Sequence, residues 1–226
     1  MILFELTGSE NHPVYQDLEL SNGNRQYDFL RSIVVVALAV KKVFLSQQIV
    51  KALNFQAITC LHTNAGEYRP CAVNVGTYKP PEFHQVQAWM DDFVNEVNII
   101  WRETDPVILA TFVLWRLNYI HPFINGNGRT ARATCYFVLC ASVGFLLPGT
   151  IILPELIRRE REAYVIALQQ VDLSYTKGAL NLAPLHHLIS QLLDEQLASA
   201  ALRPEEATDR KILTLAPPVN TNTIDA

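Results

Sequence analysis

The first 45 residues set a helical pattern broken by one turn signal. Asn22-Gly23-Asn24 reads as a turn, and from Arg25 the apolar positions recur at helical spacing through Phe44. Ser46 has the character of an N-cap, opening a second helix to about His62 that Asn64-Ala65-Gly66 stops. Between Tyr68 and Lys79 the period changes: Val73 and Val75 alternate with polar neighbours, Gly76 follows, and Pro80-Pro81 closes the stretch, which predicts a small β-hairpin. Helical spacing returns over Glu82–Trp101 and Thr104–Tyr119, with Pro106 tolerated in a first turn. It recurs over Arg129–Val143, ended by Gly144, and again near Pro154–Val171 and Leu180–Leu202. The predicted class is all-α with one small β-hairpin. Residues 1–45 form a helical segment joined in one globular unit to a core over 46–202, followed by a polar, Pro-containing tail over 203–226 expected to be disordered.

Composition narrows the function classes. Half of the 226 residues are apolar, enough for a sizeable core. A formal net charge of −4 gives no general electrostatic reason to expect nucleic acid or an anionic membrane as partner. The longest apolar run, Ile33–Val40, is far shorter than the roughly 20 residues a membrane span needs. Cys60, Cys71, Cys135 and Cys140 form no C-x-x-C pair, which argues against zinc and a disulfide framework and for a reducing compartment. With no basic n-region at the N-terminus, the expected location is cytoplasmic.

The chemistry concentrates in His121–Arg132, H-P-F-I-N-G-N-G-R-T-A-R. Gly126 and Gly128 flank Asn127, so the backbone can turn several N–H groups toward one point. A helix starting near Arg129 adds its own unpaired N–H groups and its positive dipole end, which together suit phosphate. Arg129 and Arg132 can supply charge-assisted hydrogen bonds to the same anion. His121, at the other lip of the loop, offers an imidazole base whose ordinary pKa is near 6.5. A base beside an anion nest suits proton removal from a hydroxyl that attacks phosphorus. Pro122 and Phe123 read as structure, the first fixing the bend and the second anchoring the loop.

This stretch closely resembles the signature of the Fic family, H-P-F-x-(D/E)-G-N-G-R-x-x-R. Ala65-Gly66-Glu67-Tyr68-Arg69 with Val73, Val75, Gly76 and Pro80-Pro81 resembles the family's flap. Arg161–Leu168 is similar to its R-x-x-Y-Y-x-A-L helix, with Val165 at the second tyrosine. The resemblance implies a mainly helical Fic fold and transfer of AMP from ATP to a Ser, Thr or Tyr hydroxyl of a target protein. His121 would be the base, and Gly126, Asn127 and Gly128 would hold the α- and β-phosphates. Arg129 would assist them, Arg132 would orient the γ-phosphate, and Tyr164 would lie near the nucleotide. Cys71, Ala72, Val73, Asn74, Val75, Gly76, Thr77 and Tyr78 would pair with the target's backbone as an added strand.

Asn125 stands where the family carries Asp or Glu as ligand to Mg²⁺ (or Mn²⁺), a hard cation that favours anionic oxygen. The metal would then be weakly bound through Asn125 or held by ATP. Gly128, where a kinase branch of the family has Lys, favours AMP transfer over phosphate transfer. Alternatives are transfer of another phosphate-containing group, or a weakly active or non-catalytic nucleotide-binding module. The family's inhibitory S/T-x-x-x-E-G/N helix has no convincing copy in either terminal segment, which implies restraint by a separate partner or by weak intrinsic activity.

Overall fold

The computed structural model describes residues 2–76 and 78–201. Nine α-helices account for most of these residues: α1 (Leu3–Thr7), α2 (Pro13–Val40), α3 (Gln47–Ile58), α4 (Val86–Ile100), α5 (Pro106–Ile120), α6 (Asn127–Val143), α7 (Leu153–Arg159), α8 (Arg161–Thr176) and α9 (Ala183–Ala201). The expected tail over 203–226 lies outside the described residues.

Several boundaries follow from local chemistry. The Ser46 hydroxyl accepts from the Ile49 N–H at 3.2 Å and starts α3. Asp105 accepts from the N–H groups of Val107 and Ile108 while Pro106 occupies the first turn, starting α5. Gly144, at φ +85°, ends α6 by donating its N–H to the Cys140 carbonyl.

α6 is the centre of the core. It packs against α2, α3, α5 and α7, and from Ala133 to Ala141 every residue is buried. α5 is buried almost all round, from Leu109 to Leu117. Helices this apolar on all faces need neighbours on all sides, and α2, α3, α4 and α9 supply them. Cys135 and Cys140 are free buried thiols in α6, and burial raises the pKa of both, that of Cys140 to about 11.

Three expectations differ from the structure. Asn22-Gly23-Asn24 makes no turn, because α2 runs through it. Asn22 is fully buried and donates from Nδ2 to the Thr59 carbonyl at 2.9 Å, and one turn later Gln26 donates to the Leu53 carbonyl at 2.9 Å. These ties to α3 offset the cost of a mid-helix glycine, about 1 kcal/mol. The Pro154–Val171 stretch is two helices, broken at Glu160 (φ −90°, ψ 39°). The hairpin reduces to one antiparallel bridge, Val75 with Tyr78, around Gly76 at φ +58°. Pro70, Pro80 and Pro81 have no N–H to give a ladder, and the carbonyls of Cys71 and Pro81 accept from Arg69.

Asn54 joins the core to the loop between α5 and α6. It is fully buried in α3, donates from Nδ2 to the Asn125 carbonyl (2.9 Å) and the Thr130 hydroxyl (3.2 Å), and accepts the Gly66 N–H at 3.0 Å. Asn54→Ala should strand these groups at about 1–3 kcal/mol. Thermal denaturation of the variant should show a melting point lowered by roughly 3–10 °C.

Candidate active site

The loop from His121 to Gly126 is shaped by its own side chains. α5 ends at His121, which adopts the left-handed conformation (φ 51°, ψ 58°) and donates its N–H to the Leu117 carbonyl at 3.0 Å. A non-glycine residue in that region is uncommon, and this one turns the chain sharply out of α5. Pro122 and Phe123 are buried, and the Phe123 ring packs on Tyr68 with centroids 5.6 Å apart. Asn127 then closes the loop on itself. Its Oδ1 accepts the Phe123 N–H at 2.9 Å and its Nδ2 donates to the Phe123 carbonyl at 2.8 Å.

Gly126 is the N-cap of α6 at φ +75°, where an added Cβ would meet Ile58 Cγ2 at 2.5 Å. Glycine is therefore required both by conformation and by space. No side chain caps this helix; the Asn127 amide that could do so is turned back to Phe123. The first N–H groups of α6 are left to an external acceptor at the positive end of the helix dipole.

The two arginines occupy different environments. Arg129 is held by the protein: it pairs with Glu19 of α2 at 3.1 Å, donates to the Ala57 carbonyl at 3.1 Å, and donates to Asn125 Oδ1 at 3.2 Å. Arg132 stands one turn further along α6, its Nη1 3.2 Å from where a Gly128 Cβ would lie. Among the described residues no side-chain hydrogen bond or ion pair engages it. Burial lowers its pKa, with the Tyr164 phenol acting in the opposite direction. Of the two, Arg132 is the one with donors to spare for an anion at the loop. Tyr164 is packed in the core, its hydroxyl accepting from Asn118 Nδ2 at 2.8 Å.

His121 is partly buried. Desolvation lowers its pKa to about 4, opposed by a hydrogen bond to the Asn118 backbone and assisted by the positive charge of Arg69. At neutral pH the ring is uncharged and can accept a proton.

Asn125 meets a set of residues that the sequence reading did not single out. Its Nδ2 donates to Glu10 Oε1 at 2.9 Å and lies 3.0 Å from His62 Nε2, which is itself 2.7 Å from the Tyr15 hydroxyl. The same Nε2 lies 3.1 Å from Glu10 Oε1, and burial lowers the His62 pKa against the opposing charge of Glu10. A glutamate of the N-terminal segment thus touches the loop, at Asn125 and not at Arg132. No motif spacing connects positions 10, 19, 62 and 125; only the packing of α2 on α3 and α6 does.

Asn125 as placed does not fit a resident divalent cation. Its one ligating oxygen faces the Arg129 guanidinium, and among the described residues no group of three or more His, Cys, Asp or Glu side chains is arranged to hold a metal.

The expected flap residues sit beside the loop. Cys71, Ala72, Asn74 and Gly76 are exposed, and Val73, Val75 and Tyr78 are half-buried; Thr77 lies outside the described residues. The Tyr78 hydroxyl donates to the Tyr119 carbonyl at 2.7 Å.

Residues 44–139 match the model of the Fic/DOC family. This part of the chain is similar to the Fic/DOC family. Protein adenylyltransferase fic-1 of Caenorhabditis elegans is 35% identical over 97 residues, which are 42% of this chain and 18% of that protein. Protein adenylyltransferase Fic of Drosophila willistoni is 38% identical over 68 residues, 30% of this chain and 14% of that protein. The chain therefore matches under a fifth of these relatives' length. A Fic domain-containing signalling protein from Bacteroides thetaiotaomicron superposes with a TM-score of 0.65 at 23% identity, over 88% of this chain and 77% of that one. The solved C. elegans Fic-1 fragment superposes with a TM-score of 0.63 at 22% identity, over 80% and 49%. These structures share the helical Fic fold with this chain.

The His121 environment gives a pH signature. The folded-state pKa lies below the ordinary value, so the stability of the neutral ring is complete above about pH 6.5. It is lost progressively as pH falls toward 4. Following the His121 ring by NMR should show it still neutral at pH 5.5; a titration centred at 6.5 would contradict the burial.

Proposed function

We propose that the chain is a protein adenylyltransferase: it moves AMP from ATP to the hydroxyl of a Ser, Thr or Tyr on another protein. The observation that carries this reading is the uncapped, glycine-hinged start of α6 with the unengaged Arg132 on one side of a closed loop and a neutral His121 on the other. The relatives named as adenylyltransferases support the same reading.

The N–H groups at the start of α6, from Asn127 to Arg129, would bind the α- and β-phosphates, and Arg132 the γ-phosphate, each by charge-assisted hydrogen bonds. Neutral His121 would take the proton of the target hydroxyl. The oxygen attacks the α-phosphorus, the bond from that phosphorus to the bridging oxygen breaks, and pyrophosphate leaves. A pKa near 4 keeps His121 unprotonated across the physiological range, at the cost of a weaker driving force for proton removal. Arg129, tied to Glu19, Ala57 and Asn125, would support the loop and act on phosphate only secondarily.

Among the described residues no cluster of three or more potential ligands replaces the missing acid at position 125, so Mg²⁺ or Mn²⁺ would enter as part of the metal–ATP complex. The target would lie along residues 71–78. The Glu10 contact offers restraint within the chain, beside which a separate inhibitory protein remains a second route. The four free cysteines suit a reducing compartment such as the cytoplasm, and no helix among the described residues is long and apolar enough to cross a membrane.

With ATP labelled at the α-phosphate in cell lysate, the chain should label protein. His121→Ala should lower that rate by about 10²- to 10⁴-fold while ATP binding, read by calorimetry, stays within a few-fold. Equal labelling by the variant eliminates the base assignment, and labelling only from γ-phosphate shows phosphoryl transfer instead. Arg132→Ala should weaken ATP binding more than AMP binding.

Asn125→Asp replaces the donor to Glu10 with a like charge and supplies an anionic ligand. Titration with Mn²⁺ alone, followed by electron paramagnetic resonance, should show tighter ion binding in this variant than in the wild type. Unchanged binding would mean that position 125 does not control the metal.

A further inference from the structure

Arg69 is the most deeply buried arginine among the described residues, 3% exposed, and it lies outside the signature. Its guanidinium reaches three separate stretches of backbone. Nε donates to the His121 carbonyl at 2.9 Å, Nη1 to the Cys71 carbonyl at 3.2 Å, and Nη2 to the Pro81 carbonyl. Its own N–H donates to the Pro122 carbonyl at 2.8 Å. All these acceptors are neutral carbonyls, so the buried cation has no hydrogen-bonded counter-ion; Glu82 adds only a charge–charge attraction. Such an arrangement is costly, and burial lowers the pKa of the group accordingly.

What the cost secures is geometric. Cys71 and Pro81 are the two feet of the segment expected to receive a target strand, and His121 is the expected base. A planar fork with donors in fixed directions is suited to holding three carbonyls in one plane, and an ammonium is not. Tyr78 adds a further tie from the same segment, to the Tyr119 carbonyl two residues before the base. Because the segment lacks a strand ladder, these ties and the single Val75–Tyr78 bridge define its position.

We propose that Arg69 is a positioning residue that fixes the distance between the target-docking segment and His121, so that a hydroxyl carried by a bound strand arrives within reach of the ring. Arg69 acts through the backbone and touches neither substrate. This role rests on the adenylyltransferase reading, and it is tested partly by measurements that do not depend on activity.

The test compares Arg69→Met and Arg69→Lys with the wild type, the lysine keeping the charge but not the fork. Deuterium uptake at residues 71–81 should rise in both. The rate of α-phosphate labelling in lysate at saturating ATP should fall roughly 10- to 100-fold, the scale of a misplaced reacting group, with the KM for ATP within about twofold. The His121 ring, followed by NMR, should titrate closer to its ordinary range in Arg69→Met, which removes a nearby positive charge. Wild-type exchange and labelling in Arg69→Lys would overturn the proposal. So would a loss of ATP affinity and melting temperature in step with the rate while exchange at 71–81 is unchanged, since that marks a general scaffold role. If Arg69→Met fails to fold, Arg69→Lys and Tyr78→Phe carry the exchange measurement. If the wild type labels no protein, the proposed activity fails, and exchange and the His121 titration still decide whether Arg69 holds the segment to the ring.

Discussion

The site depends on side-chain amides that close a loop no regular backbone pattern could close. Between the end of α5 and the start of α6 the chain reverses within a few residues, and its N–H and C=O groups need partners that neither helix can offer. Asn127 meets one donor and one acceptor of Phe123, and Asn54 reaches the Asn125 carbonyl from α3 while receiving the Gly66 N–H. A carboxylate could accept at these places but could not donate, and a lysine the reverse. An amide satisfies both kinds of group from one position. With the loop so fixed, Gly126 can present the bare end of α6 outward without the backbone collapsing onto it.

That closure assigns different duties to residues adjacent in sequence. Within the twelve-residue stretch, Phe123 and Asn127 are turned inward as supports, Arg129 is turned toward α2 and α3, and Arg132 is left without a side-chain partner among the described residues. The distinction is one of bonded partners. A guanidinium already shared among a glutamate, a carbonyl and an amide has little left to give a phosphate, whereas one with no such partner has its donors available. Desolvation works on both free groups in the same direction, keeping His121 neutral and disfavouring a lone Arg132 charge, so an anion bound here would relieve the second without protonating the first.

Much of this was legible in the chain because the information is local. Ser46, Pro106 and Gly144 act within a turn of where they stand, and the glycine pair in 126–128 announces a backbone that must bend. The failures were cases where distant groups outvoted local signals. Asn22-Gly23-Asn24 has the chemistry of a turn, yet Thr59 and Leu53 of the neighbouring layer hold side chains of α2. Val73 and Val75 have the alternation of a strand, but prolines deny them a ladder. Glu10, Glu19 and His62 carry no spacing that relates them to His121 or Asn125, and only packing reveals them; Arg69 stood in the flap resemblance, but its reach to the His121 carbonyl did not. The missing acid at 125 was visible at once, while the guanidinium facing its replacement was not.

α2 runs for 28 residues and sends Tyr15, Glu19, Asn22 and Gln26 into the layer beneath the loop. The change in pattern near residue 45 is therefore a bend in the path of the chain and not a seam. Severing the polypeptide there would leave Arg129 without its counter-charge and bare the apolar surface that Leu30 and Val34 now cover. The stretch ahead of residue 46 is one of the walls of the fold.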